Sequence, residues 1–450
     1  MDSVKYWTMS GSRRPFPQGQ GRAHYIRRMS DMSKVGRPIS AIIADLRERR
    51  TGDIDWSTGR SFGMVYDGGP TVHDVAEQAA RIYLHENALN TKAFPSLGAI
   101  QSDVVRWTSD LLHGGPATAG FMTSGGTESI LCAVLAARER AKAERGITSP
   151  EIVLAESAHA AFHKAAHLFG VTVRKTRVND DWTADVDAMA DVVSDNTVLI
   201  VGSAPQYPQG VVDSIPDIAA LAVAAGINCH VDACMGGFVL PFAEMLGRTV
   251  PPWDFRVDGV TSISADIHKL GYSPKGASVI VHRTKALRAY QTFVFDDWLG
   301  GFYASPNIQG TRSGLPMAAA WAVMQHLGID GYVSLTRTAL ETADRMREAI
   351  AAIDGLRVLG DGGYHLVAMA SDPVSDGPAI DVFALGDALL ARGWFHDRQS
   401  SPSSPDSLHS TVSNGNAAVI DRYLEDLVAC VNQIRDTRVA DRSTNYATLE

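Results

Sequence analysis

Ser264-Ala265-Asp266-Ile267-His268-Lys269-Leu270-Gly271-Tyr272 is the stretch that decides how this chain is read. The Val/Ile/Ser/Thr-rich run at 259–264 predicts a short buried strand, which ends in a polar turn carrying His268 and Lys269. Gly271, Pro274 and a second lysine, Lys275, follow. A lysine just past a buried strand loses hydration on an irregular loop, so its pKa falls and its amine becomes a nucleophile toward carbonyls. An isolated His-Lys pair is more often a solvated strand end. Chemistry at Lys269 therefore requires the rest of the chain to supply a site around it.

The 450 residues suffice for one large or two to three ordinary domains with a sizeable core. Apolar residues make up 45% and charged residues 20%, an ordinary composition for a water-soluble chain. A net charge of -9 argues against nucleic acid or an anionic membrane as the main partner. No uninterrupted apolar run approaches the ~20 residues of a membrane span. Residues 1–28 are polar, with Arg13 and Arg14 and no apolar core segment, so no secretory signal is expected. Four cysteines make no disulfide framework, and a reducing cytoplasm is the expected compartment. Cys229 and Cys234 flank His230 and Asp232, but 227–232 looks like a buried strand, where free cysteine serves as a small hydrophobe. Without a second ligand cluster, zinc is not expected.

Taken in order, residues 1–35 predict an extended arm, and 38–49 a helix with the apolar stripe Ile39, Ile42, Ile43 and Leu46. Residues 53–69 carry Trp56, Phe62 and Tyr66 among glycines, a loop whose aromatics must pack on something. A helix over 72–85, a polar loop over 87–95 and a helix from an N-cap at Ser96 to 112 follow. Thr123-Ser124-Gly125-Gly126-Thr127-Glu128-Ser129 then opens an alanine-rich helix reaching about 144. Gly125 and Gly126 free the backbone, and Thr127 caps the helix or sits in its first turn. Several N–H groups then aim at one point, an anion site strengthened by the helix dipole. No lysine follows the glycines, so this is no nucleotide P-loop.

Beyond Pro150 short apolar runs at 152–155, 171–173, 198–202, 227–231, 260–263 and 278–281 alternate with helical patterns at 159–169, 184–193 and 215–225. That alternation predicts an α/β fold, a mostly parallel sheet with helices on both faces. Function in such sheets gathers at the carboxyl ends of the strands, where His159, Asp232, His268 and Lys269 all fall. The last third predicts helices at 317–327 and 335–353. Short strands at 356–359, 365–370 and 407–412 then mix with helices at 380–392 and 417–434, a smaller α+β domain. The expected division is an arm and helix over 1–60, a large domain over 61–314, a small domain over 315–436 and a polar, frayed tail over 437–450. The Ser/Pro-rich stretch 395–410 reads as a loop that could fold over the mouth of a site.

These residues together fit pyridoxal phosphate. The glycine-rich helix start takes the phosphate, and Asp232 keeps the pyridine nitrogen protonated so that the ring is an electron sink. His159 stacks on the ring and Lys269 carries the cofactor as a Schiff base.

Over about 53–434 the chain resembles the sphingosine-1-phosphate lyases and their bacterial relatives, within the fold-type I, group II decarboxylase-like enzymes. The matching pieces are TSGGTES at 123–129, SAHAAFHKAA at 157–166, HVDACMGGF at 230–238, SADIHKLGYSPKGAS at 264–278 and GTRSG at 310–314. The resemblance implies a seven-stranded sheet in the large domain, pyridoxal 5'-phosphate as cofactor, and a homodimer with its sites at the subunit interface. It implies Lys269 as the Schiff-base lysine, Asp232 at the pyridine nitrogen and His159 on the ring. Gly125, Gly126, Thr127, Ser264, His268 and Thr311 complete the cofactor-binding set. Thr311 stands where the lyases usually carry serine, and would reach the site from the neighbouring subunit. Tyr66, Asn87 and Lys275 map to the family's catalytic and substrate-phosphate groups. One position departs: the family's Asn-Pro-Leu-His segment is Asn87-Ala88-Leu89-Asn90 here. The amide of Asn90 donates a hydrogen bond but carries no charge and shuttles no proton near neutral pH.

The activity this implies is retro-aldol cleavage of a phosphorylated or otherwise anionic amino alcohol, such as a sphingoid base 1-phosphate, to an aldehyde and an amine. The proton-accepting base is Lys275, Lys269 or the cofactor phosphate. An amino-acid decarboxylase on the same scaffold is the alternative that Asn90 motivates, and a cofactor-binding protein without catalysis is the reading from another class. A small-molecule substrate is expected, with no nucleic acid and no transmembrane segment.

Overall fold

The computed structural model describes residues 35–360, 362–375, 379–435 and 437–444. The arm expected over 1–34 and the end of the tail, 445–450, lie outside the described residues. Residues up to Ile54 make one unit and those from Asp55 another. In the first, a helix spans Ile39–Arg49, entered from Pro38 and continued by a 3₁₀ turn at Arg50–Gly52. Ile39, Ile42, Ile43 and Leu46 fall on this helix as expected, and all four are exposed.

The second unit is built on a seven-stranded sheet. Its strands are β1 (Ala119–Thr123), β2 (Glu151–Ala155), β3 (Thr172–Thr176), β4 (Thr197–Ser203), β5 (Asn228–Asp232), β6 (Ser262–Ala265) and β7 (Ser278–His282). Their spatial order is β1-β7-β6-β5-β4-β2-β3. Strands β6, β5, β4, β2 and β3 run parallel, and β7 alone runs antiparallel to its neighbours. Every residue of β2, β4, β5, β6 and β7 is buried, which is why these strands read as unbroken apolar runs rather than alternating ones. Strand β1 was not among the expected runs; Ala119 and Gly120 dilute its apolar signal. Gly120 packs so tightly on β7 that a Cβ there would stand 2.2 Å from the Ile280 carbonyl oxygen.

The carboxyl ends of β1, β2, β4, β5 and β6 share one edge, and the helices return the chain to the other. The helix Gly126–Arg145 ends in Gly146 at φ 68°, a left-handed cap, with Lys142 and Arg145 in its last turn beside the negative end of the dipole. The helix expected from Ser96 starts one residue earlier, at Pro95 with Phe94 as its N-cap, because proline at the first helical position needs no N–H partner.

The C-terminal domain follows a helical stretch, Gly314–Ala351, interrupted at Gly328 (φ 54°, ψ -173°). Two helices were expected here, and the break falls where a glycine can take a left-handed φ. Ahead of this stretch the hairpin β8 (Phe293–Phe295) and β9 (Tyr303–Ser305) forms a separate two-stranded sheet, and after it comes a four-stranded antiparallel sheet of β10 (Leu356–Leu359), β11 (Leu366–Ser371), β12 (Asp397–Ser401) and β13 (Ser404–Thr411), in the order β10-β11-β13-β12. The stretch read as a gating loop is thus mostly sheet. The serines of β12 suit an edge strand, which does not need an apolar face on both sides.

Phe62 answers for the aromatic loop. It is fully buried in the C-terminal core, stacked on His396 at 4.8 Å between ring centres and against Trp394 and Tyr423. The tail also departs from expectation over 437–444. Arg442 makes hydrogen bonds of 2.9 and 2.8 Å to the two carboxylate oxygens of Asp381, and Val439 N–H donates to the same group.

Candidate functional site

The shared strand edge opens on a cavity of about 300 Å³ lined by the turn 124–128, His159, Asp232, Asp266, His268 and Lys269, with Ser203, Gln206, Tyr207, Cys234 and Met235 completing the wall. Five of the strand ends contribute, and of the expected cofactor-binding residues Gly125, Gly126, Thr127, His159, Asp232, His268 and Lys269 are brought together, while Ser264 and Thr311 are not in the wall.

Asp232 is the last residue of β5. Its Oδ1 accepts from Cys234 N–H at 3.1 Å and from Ser264 Oγ at 3.2 Å. Ser264 lies behind Asp232 rather than in the cavity wall, and also contacts His230 Nε2 at 3.2 Å. Burial pushes His230 down to about 4, so that ring is neutral and serves as a hydrogen-bonding strut.

Lys269 leaves the end of β6 on a tight turn and places Nζ 3.0 Å from Asp266 Oδ2. Asp266 is 2% exposed. Burial alone would raise its carboxyl, but the charges of Lys269 and His268 and hydrogen bonds from Ser278 and Lys269 outweigh that and hold it below the ordinary range. Its Oδ1 is buried with no hydrogen-bond partner among the described residues. His268 is pushed down to about 4, chiefly by burial. Its Nδ1 accepts from the N–H groups of Gly276 and Ala277 at 3.3 Å each, as a neutral ring requires. Burial likewise lowers His159, with Lys269 adding to it and Asp232 and Asp266 opposing. A neutral imidazole is a flat surface without a net charge, suited to stacking.

The glycine-rich turn enters its helix with Gly125 as N-cap and no side-chain cap, so Thr127 belongs to the first turn. A Cβ on Gly126 would stand 2.7 Å from Cys234 Sγ and 2.8 Å from Asp266 Oδ2. The absent side chains therefore leave a backbone cradle at a helix N-terminus, open to an anion. Glu128 braces the turn: Oε2 accepts from Ser124 N–H at 2.7 Å and Oε1 from Gln309 N–H at 3.1 Å. A lysine, a strand-end carboxylate, a neutral ring and an anion cradle around one cavity are the groups pyridoxal phosphate needs, and the residues present fit it.

The other expected residues lie outside this wall. Lys275 donates to the His268 carbonyl at 3.1 Å and sits 4.6 Å from the centre of the Tyr66 ring. One side of Lys275 is open to solvent while protein crowds the other; loss of hydration, then the charge of Lys269, lowers it to about 8. Asn87 pairs with Ser313 in an isolated bridge, and its Oδ1 accepts from Leu89 N–H at 3.2 Å. Asn90 is exposed and accepts from Lys92 N–H at 2.9 Å. Thr311 is exposed beside Arg312, whose carbonyl accepts from Ala88 N–H at 2.8 Å. The segments 87–88 and 312–313 are thus paired, and neither Asn87 nor Thr311 lines its own chain's cavity.

The sequence reading missed Tyr207 and Asp266. Asp266 follows directly on the end of β6 and Tyr207 lies in the loop after β4, the same signal that found His159 and Lys269. A second cavity, about 360 Å³, adjoins the first through His159 and Tyr207 and is bounded by Trp182, Arg398, Ser401 and Pro405.

The pyridoxal-dependent decarboxylase conserved domain matches residues 31–369. Sphingosine-1-phosphate lyase 1 of Rattus norvegicus is 41% identical over 400 residues, spanning 89% of this chain and 69% of the rat protein. The structure of Burkholderia pseudomallei sphingosine-1-phosphate lyase superposes with a TM-score of 0.87 at 38% identity, covering 92% of this chain and 95% of that one. The L-aspartate/L-glutamate decarboxylase of Pyrococcus horikoshii is 36% identical over 361 residues, 80% of this chain and 90% of that protein.

Proposed function

The chain belongs to the pyridoxal-dependent decarboxylase family, among its sphingosine-1-phosphate lyase members, and from that membership we propose that it cleaves a phosphorylated amino alcohol between Cα and Cβ. The observation that carries this is the placement of Lys269, Asp232, His159 and the Gly125-Gly126 cradle around one cavity. Bound there, pyridoxal phosphate supplies an electron sink for the carbon next to the substrate nitrogen.

The chain's own residues then divide the work. The N–H groups of the glycine turn, with Thr127 and His268 beside them, hold the phosphate. Asp232, braced by Ser264, would keep a proton on the ring nitrogen. His159 supports the ring face. Lys269, held 3.0 Å from Asp266, would carry the cofactor and orient its reactive end toward the substrate amine. A base removes the proton of the hydroxyl on Cβ, the Cα–Cβ bond breaks, and the aldehyde leaves. Lys269 then returns a proton to Cα, and the amine departs. Lys275 is the base its lowered pKa favours, since a substantial neutral fraction exists near physiological pH. Tyr66 holds Lys275 in place from below its ammonium.

A homodimer completes the site in this reading. Thr311 and Asn87 stand outside their own cavity, and Phe293, Trp298, Leu299 and Phe302 around the 293–305 hairpin are exposed, which supports a second copy as their cover. Four free, buried cysteines support a reducing cytoplasm.

A panel of phosphorylated and free amino alcohols, read by coupled aldehyde detection on the cofactor-loaded protein, tests the proposal; aldehyde from a phosphorylated member is expected. The second reading is an amino-acid decarboxylase, favoured by Asn90 and by the likeness to the Pyrococcus enzyme. Carbon dioxide from an amino acid with no aldehyde from the panel would establish it instead.

A further inference from the structure

Asp397 opens strand β12 on the edge of the C-terminal sheet, yet its side chain is 2% exposed. Its Oδ2 accepts a hydrogen bond of 2.7 Å from the hydroxyl of Tyr207, which belongs to the loop after β4 and lines the lysine cavity. Its Oδ1 is buried without a hydrogen-bond partner among the described residues. The same sheet grips the tyrosine a second time. His409, opposite Asp397 in the β12–β13 register, lies 3.9 Å from Tyr207 between ring centres, and its Nδ1 is 3.4 Å from the Pro208 carbonyl.

A buried carboxylate whose one described side-chain donor is a neutral hydroxyl is costly, and an apolar residue would serve an edge strand better. Such a group points to a task beyond stability. Burial pushes the Asp397 carboxyl up to about 6, against the pull of the Tyr207 hydrogen bond. A phenol has one proton to donate. With that proton directed at Asp397, the tyrosine oxygen has only lone pairs left to offer, which suit a hydroxyl or ammonium donor and disfavour a carboxylate.

We propose that Asp397 is a positioning residue that fixes the Tyr207 hydroxyl in the cavity wall as a hydrogen-bond acceptor, so that the C-terminal domain favours amino alcohols over amino acids at the lysine site. The inference rests on the lyase reading for its substrate and on the Tyr207–Asp397 contact for its geometry.

Wild type, Asp397→Val, Tyr207→Phe and the double variant, each loaded with cofactor, are compared for aldehyde release from a phosphorylated amino alcohol. The valine variant is expected to lose about tenfold or more in kcat with KM changing less than about threefold, and the double variant to be no worse than Tyr207→Phe, since coupled groups are not additive. Losses that multiply, or a valine variant with wild-type kcat, overturn the proposal. Asp397→Asn retains an acceptor for the tyrosine proton and is expected within about threefold of wild type; a loss as deep as that of valine also overturns it. Asp397→Ala replaces valine in the cycle should that protein not fold. A wild type that releases no aldehyde sinks the lyase reading and leaves the geometry to be read without substrate. Crystal structures of wild type and the valine variant then decide: the Tyr207 hydroxyl is expected to swing from its place, and one that stays overturns the positioning role.

Discussion

Lys275 Nζ donates a 3.1 Å hydrogen bond to the carbonyl oxygen of His268, the residue immediately before Lys269. The turn thereby holds two lysines on either side of one peptide, and the charge of Lys269 disfavours that of Lys275. The consequence for pH has a definite sign. Burial and Lys269 place Lys275 near 8, below its ordinary value, and a base acts only in its neutral form. The rate constant kcat/KM is therefore expected to rise with pH and level off above about 8. The Lys275→Ala variant should lose that rise along with most of its activity. A profile that falls through the same region would instead make Lys275 a charged clamp for the substrate phosphate.

Gly126 and Asp266 compete for one space. Gly126→Ala would press a methyl group on Asp266 and Cys234, and Asp266 holds Lys269 at 3.0 Å. Overpacking of this kind costs about 1–3 kcal/mol. Cofactor affinity, followed by absorbance during titration of the apoprotein, is expected to fall about tenfold to a hundredfold.

Ser264→Ala removes a hydrogen bond to Asp232 without touching the cavity wall. A bond to a charged group contributes about 1.5–3 kcal/mol. The variant should bind cofactor yet lose about tenfold to a hundredfold in kcat/KM. Unchanged kinetics would mean that the Cys234 N–H alone fixes Asp232.

Asn90→His restores the residue type the related lyases carry. The imidazole is charged below about pH 6.5. KM for a phosphorylated substrate is expected to fall up to about fivefold at pH 6 and to stay unchanged at pH 8, as suits an exposed ion pair. Equal effects at both pH values would point to shape rather than charge.

How far the sequence carried depends on burial. Strands β2, β4, β5, β6 and β7 were legible because both faces of each are covered, so apolar residues crowd together; Lys269, Asp232 and His159 follow from those strands' ends. Strand β12 was not legible. Beyond the buried Asp397, its residues 398–401 lie partly in solvent on an edge, where serine and arginine are tolerated and composition suggests a loop. Tyr207 escaped because Gln206 and Pro208 around it look like an ordinary turn, although the apolar run at 198–202 announces the strand end five residues earlier. The pairing of Asn87 with Ser313 could not be read at all, since it comes from a single bridge between segments far apart in the chain.

Ser203, Asp232 and Ser264 stand side by side in register across three parallel strands. Their separations are set by the strand spacing of about 4.8 Å rather than by any loop. The ring end of the site is thus woven into the central ladder, whose amides open only with the whole protein. The glycine-rich end of the cavity hangs on a turn, and the adjoining cavity is bounded by the edge strand β12. Amide exchange should therefore be slowest at the carboxylate that governs the chemistry and fastest where substrate enters, so that the chain can admit a range of molecules while treating each with the same fixed tool.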